Sequence, residues 1–213
     1  MSGFTRGFNP QEVASSVSAV KSSYDKLIDA CVGEMHTFVE EMSAHWAATN
    51  AVKTFVNVKK ANDGLTTAAT TTFQSVVEAM NGAASSWAQA TGNAYNGSEF
   101  EPTVRRLSVG AIKDNIDGAS GCDDEALTLV ENLTTIAQHI DDALSEAISA
   151  VSNCGFLGSE AGALTQALTT IKSNFSEQAT ENYNNIKEDL NKTFETYGSI
   201  ESTNQSNFNG GGN

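Results

Sequence analysis

Three histidines, three cysteines and 26 acidic residues are the groups in this 213-residue chain best suited to acid–base, nucleophilic or metal-assisted chemistry. Two of the histidines fall in one acidic segment with Glu34, His36, Glu40, Glu41 and His45. His36/Glu40 and Glu41/His45 are four apart, so on a helix each pair lies on one face as a local ion pair. Di-iron bundles use Glu-x-x-His on each of two helices instead, and that spacing does not occur here. The sequence therefore predicts a solvated face, with no metal ligand, and places His139, beside Asp141 and Asp142, on the surface as well. Cys31, Cys122 and Cys154 are odd in number and far apart, which fits neither a disulfide framework nor a Cys-x-x-Cys site. They are expected as free thiols of a chain that folds in a reducing compartment. There is no Gly-x-Ser-x-Gly nucleophile turn and no phosphate-binding glycine loop. Gly158-x-x-x-Gly162 opens a helical pattern and is read as a turn with close packing. No catalytic residue and no cofactor is assigned; a non-enzyme is expected.

Charge narrows the partners. The net charge is -14, and nucleic acid or anionic membrane would need clustered Lys and Arg. Arg105-Arg106 with Lys113 is a basic spot in an acidic neighbourhood, and it is expected to dock on carboxylates of the fold. Residues 1–110 carry net -2 and residues 111–213 net -12, which suggests two units with different surroundings. No run approaches 18 apolar residues, so stable membrane insertion is not expected. The first ten residues lack the apolar core of a Sec signal peptide.

The elements that must carry these residues are helical. Val13, Val17, Val20, Tyr24, Leu27, Cys31, Met35, Phe38 and Met42 form a heptad stripe with one stutter, at Leu27-Cys31-Met35. Asn9 caps it and Pro10 fits the first helical position, so a helix is expected over 10–45. A second stripe runs from Val52 to Trp87 and stops at Thr91-Gly92-Asn93. Residues 98–122 form a linker in which 104–116 can make a short amphipathic helix. A third stripe runs from Ala126 to Val151 behind Asp123, and a fourth from Ala161 to Tyr197 with Gly198 as its stop. The fold class is all-α: two long helical hairpins, 1–97 and 123–201, packed as an antiparallel four-helix bundle. Residues 202–213 are polar and Gly-rich and are expected as a disordered tail.

The halves look duplicated. An offset of 110 residues lays Trp46 on Phe156, Leu65 on Phe175, Phe73 on Tyr183 and Trp87 on Tyr197 without a gap. The turn segments Trp46-Ala47-Ala48 and Phe156-Leu157-Gly158 resemble the Trp-x-Gly turn of the WXG family, small helical hairpins exported by type VII (ESX-type) secretion systems. The first turn keeps Trp46 but has Ala48 in place of glycine; the second keeps Gly158 but has Phe156 in place of tryptophan. Tyr197-Gly198-Ser199-Ile200-Glu201 resembles the Tyr-x-x-x-Asp/Glu export signal that follows the second helix in many of these secretion units. The resemblance spans about 10–201, as two tandem copies like a WXG dimer fused into one chain. It implies a protein folded first in the bacterial cytoplasm and then secreted, with Tyr197 and Glu201 presented to a type VII-like export ATPase. A second copy, or a WXG-like partner hairpin, is the other partner it implies. Two alternatives stay open: a structural coiled coil of a surface, filament or phage-like assembly, and an export chaperone for a partner toxin.

Overall fold

The structure, a computed structural model, describes residues 6–210. Its first rod covers residues 10–45 as three segments in register: α1 (Pro10–Ile28), a π-helical turn (Asp29–Glu34) and α2 (Met35–His45). Asn9 caps α1 through its side-chain oxygen, and Pro10 occupies the first turn, as the sequence indicates. The π turn falls on the stutter of the stripe. Its extra residue keeps both Cys31 and Met35 buried, where an unbroken α-helix would rotate the stripe off the core. Asn62 Nδ2 donates to the carbonyl of Cys31 at 3.0 Å, satisfying a group that this wider turn leaves free.

A two-residue strand, β1 (Trp46–Ala47), then turns the chain into α3 (Thr49–Thr91). Gly92, in the left-handed conformation at φ 70°, ends α3, and Asn93 N–H donates back to Ala88 O. After the linker come β2 (Gly121–Cys122), α4 (Asp124–Val130), α5 (Asn132–Ser152) and α6 (Glu160–Gly210). Asp123 caps α4.

The helices pack α1 on α3 and α5, and α6 on α3 and α5. Lys26 of α1 meets Glu146 at 2.7 Å and Glu34 of the π turn meets His139 at 2.8 Å, so the first rod and α5 run antiparallel. Across α3 and α6, Asn50 meets Thr193, Thr54 meets Asp189 and Trp87 meets Glu160, again in opposite order. The apolar stripes form one core that includes Leu27, Phe38, Phe55, Phe73, Leu144, Leu168, Phe175 and Leu190. Each such side chain contributes about 1.5–3 kcal/mol when fully buried.

Two expectations are corrected. The linker forms no helix at 104–116. Leu107 N–H donates to Asp63 Oδ1 at 3.0 Å, not to a carbonyl four residues back, and Leu107 and Ile112 are buried against the helices. Asp117 (φ 52°) and Gly118 (φ 84°) then make a tight reversal between Ile116 and Ala119. Nor does α6 stop at Gly198. Residues 202–210 are helical, not disordered, and Ser202 and Thr203 hydroxyls donate to the carbonyls of Gly198 and Ser199. A lone glycine costs a helix about 1 kcal/mol and does not end it without a left-handed turn. Residues 211–213 lie outside the described residues.

Candidate functional site

The two turns are tied crosswise. Trp46 pairs antiparallel with Cys122 and Ala47 with Gly121, while Asp123 N–H donates to His45 O at 3.1 Å. At the other end Phe8 bridges Phe156, Asn9 N–H donates to Gly155 O at 2.9 Å, and Leu157 N–H donates to Gly7 O at 2.9 Å. Each turn thus binds the strand that leads into the other hairpin, next to the residue that caps that hairpin's first helix. Residues 45–47 correspond to 155–157, and 121–123 to 7–9. The turn residues keep the 110-residue offset seen in the sequence, and the pairing has the self-complementary form of a two-fold contact.

The four turn-motif residues play unequal parts. Trp46 is fully buried and stands edge-on to Phe55 with ring centroids 6.2 Å apart; its indole N–H has no acceptor among the described residues. Phe156 is only half-buried, on the edge of the core. Ala48 is extended (φ -168°), with its N–H donating to Lys113 O at 3.1 Å. Any residue adopts that backbone, so alanine replaces glycine there without strain. Gly158 is not in the left-handed region either, and a Cβ there would meet only the movable Glu160 carboxylate. The glycine that the second turn requires is Gly155. Its φ is +76°, and a Cβ would lie 2.6 Å from Glu12 Cβ and 3.1 Å from Asn9 O. The sequence signal for it was Asn153-Cys154-Gly155 at the end of the third stripe.

Tyr197 and Glu201 lie on one face of α6, four residues apart, as expected. That face also carries Ile200, Asn204, Gln205 and Phe208, and together they line one surface cleft. Tyr197 is half-buried and Glu201 exposed. Ile200 is 52% exposed and Phe208 84% exposed. Phe194, Tyr197, Glu201, Asn204 and Phe208 keep the three–four spacing of the buried part of α6, so this is the core stripe prolonged past its cover. Sequence reasoning missed Ile200 and Phe208; the available signal was Phe208 continuing that spacing, masked by the polar composition of residues 202–210.

The titratable groups singled out from the sequence are scattered. His36 and Glu40 do pair along one helix, at 3.7 Å. His45 does not pair with Glu41; it reaches Asp123 at 3.0 Å. His139 bonds to Glu34 across to the first rod. The Arg106 guanidinium lies 3.7 Å from Asp63, the carboxylate docking expected of the basic spot. Burial, reinforced by Glu34, pushes the Cys31 thiol up; burial with Asp123 and Asp124 pushes Cys122 up to about 11. Burial also raises Cys154, so all three thiols stay protonated at neutral pH and are poor nucleophiles. Among the described residues no group of three or more His, Cys, Asp or Glu is placed to hold a metal ion, and no helix is long and apolar enough to cross a membrane.

No protein-family model matches the chain, and neither the curated proteins nor the solved structures give a match.

Proposed function

We propose that this protein is a non-enzymatic substrate or effector of a type VII-like secretion system. It folds as a single-chain, WXG-like antiparallel four-helix bundle and is handed to the export ATPase by the free end of α6. The observation that carries this reading is the exposed face of α6, where Tyr197 and Glu201 stand four apart beside uncovered Ile200 and Phe208. An aromatic and an acid on one helical face offer a partner one apolar anchor and one charge that fixes its register. The crosswise turns support the fused-dimer part, because each hairpin supplies what a separate partner hairpin would supply. Secretion of Tyr197→Ala and Glu201→Ala variants tests the reading in a host with such a system. Loss of export with an unchanged circular dichroism spectrum is expected, and normal export of both variants overturns it.

One observation favours a second reading, a coiled-coil assembly protein. The prolonged stripe on α6 is also what an intermolecular helix pair would use. Light scattering after size exclusion separates the two: a monomer near 22.4 kDa fits the self-contained bundle, and a higher stoichiometry fits assembly.

A further inference from the structure

Residues 95–107, after the end of α3, lie along the first hairpin as an extended peptide lies in a recognition groove. Side chains of the hairpin hold its backbone. Lys21 Nζ donates to Ser98 O at 2.9 Å and to Glu99 O, and Asn81 Nδ2 donates to Ser98 O at 3.1 Å. Asp63 Oδ1 accepts the Leu107 N–H, and its other oxygen faces Lys59 and Arg106. Three side chains anchor the segment. Tyr95 donates to Asn81 Oδ1 at 2.7 Å. Phe100 stands edge-on to Tyr24, with centroids 5.2 Å apart and the Lys21 ammonium over its ring. Leu107 is fully buried. Main-chain capture for affinity with side-chain anchors for specificity is the division of labour in peptide recognition.

Two observations mark this face as more than a way of finishing a helix pair. The second hairpin has no such strap among the described residues. There Tyr183, aligned with the Phe73 on which Tyr24 packs, closes the face by bonding to Glu131 and Lys187. A hairpin of this design can therefore be completed without a strap. The strap also seats incompletely: a cleft of about 630 Å³ remains between Phe100, Pro102 and Arg105 on one side and Tyr24, Ile28 and Asp29 on the other.

We infer that the α1–α3 face of the first hairpin is a docking groove for an extended segment of a partner protein, occupied in cis by the chain's own strap. The partner segment shares the strap's chemistry: an aromatic residue, a leucine seven positions later, and a basic residue just before the leucine to meet Asp63. The tethered strap competes at an effective concentration in the mM range, so the groove is closed to weaker segments until the strap is displaced.

A fluorescent peptide with the sequence of residues 94–108 is the probe, titrated into the full chain and into its Phe100→Ala/Leu107→Ala variant. The peptide is expected to bind the variant roughly tenfold or more tighter than the unaltered chain, and a scrambled peptide is expected not to bind. A variant that melts cooperatively yet binds the peptide no better than the unaltered chain, or no better than it binds the scrambled one, overturns the inference. If the double variant loses its cooperative melt, Phe100→Ala alone is judged by the same criterion, since Leu107 then still holds the strap's far end.

Discussion

The two hairpins share their contacts with each other and differ almost everywhere else. Both cap their first helix with a polar side chain, and both tie their turn to the other's lead-in strand. The first stops α3 at Gly92, folds its continuation back as a strap, and belongs to the nearly neutral half of the chain. The second runs α6 through Gly198, leaves its end uncovered, and belongs to the half with net -12. The contrast between Gly92 and Gly198 shows why. Gly92 takes a left-handed φ and Asn93 closes the turn; Gly198 stays helical, and serine and threonine hydroxyls bond onto the carbonyls that follow. The contacts between the two hairpins are alike, and the faces they present outward differ. The second hairpin, in the more acidic half, is the one whose last helix runs on with Ile200 and Phe208 exposed.

The largest expected difference is at the aromatic turn residues. Trp46→Ala should cost about 3–5 kcal/mol, because a fully buried indole leaves a cavity under Phe55. Phe156→Ala should cost about 1–2 kcal/mol, since that ring sits at the edge of the core and is only partly buried. Urea unfolding of both variants measures this. Equal losses would mean that the turns are energetically equivalent and that the comparison holds only in sequence.

Glycine separates the turns next. Gly155→Ala should destabilise by roughly 1–3 kcal/mol, from a left-handed backbone and a methyl forced against Glu12 Cβ. Ala48→Gly should cost about 1 kcal/mol or less, and Gly158→Ala should leave the unfolding midpoint within about 0.5 kcal/mol of the parent. A large effect at Gly158 with none at Gly155 would restore the motif positions as the constrained ones.

These turns also show how far the sequence reaches. The cap at Asn9, the acidic start at Asp123, the rod over 10–45 and the stop at Gly92 were legible, because each depends on residues within one helical turn of it; that Asp123 also caps α4 came from the structure. The stutter at Leu27-Cys31-Met35 was visible, but its resolution as a π turn was not, since that needs Asn62 from another helix to take the Cys31 carbonyl. The pairing of Trp46 with Cys122 spans 76 residues and two residues per strand, too short to leave a periodic trace. The linker looked helical because Leu107, Ile112 and Ile116 share a helical spacing. Asp63 overrides that spacing by capturing the Leu107 N–H. Of the candidate site, the face shared by Tyr197 and Glu201 was legible from their spacing, but the helix that continues beyond them was not, because its polar composition resembles a tail.

The outer faces give a smaller contrast. Asp63 is largely buried, and it accepts the Leu107 N–H and faces Lys59 and Arg106, so Asp63→Ala should cost about 1–3 kcal/mol by orphaning a buried donor. Glu131, which closes the corresponding face of the second hairpin, is exposed. Its carboxyl is held below the usual range first by Lys187 and then by Tyr183. Glu131→Ala should produce no measurable change in the unfolding midpoint, because water screens that network. A loss at Glu131 comparable to that at Asp63 would show that both faces are structural closures, and would weaken the case that the first is a groove.

The smallest difference is one of pH, and it isolates the two caps. Asn9 and Asp123 occupy equivalent places, and each caps its helix with a side-chain oxygen, a contribution of about 1 kcal/mol. Only Asp123 titrates. Partial desolvation raises its pKa, but the hydrogen bond from His45, the Ala126 and Glu125 N–H groups and the nearby His45 charge together outweigh it and hold the carboxyl below 3.8. A carboxyl lowered in the folded state stabilises fully above its unfolded value of 3.8, and that stabilisation disappears as the pH falls through the folded value. Asp123→Asn keeps an acceptor but no charge. It should therefore be less stable than the parent at neutral pH and converge with it below 3.8. Asn9→Ala should run parallel to the parent through the acid range, because the capping amide itself does not titrate and Glu12 of the first turn is present in both. Urea midpoints measured from neutral to acid pH decide this. If the Asp123→Asn curve stays parallel to the parent, the carboxylate of the second cap adds nothing beyond its geometry, and the two hairpin entrances are electrostatically alike.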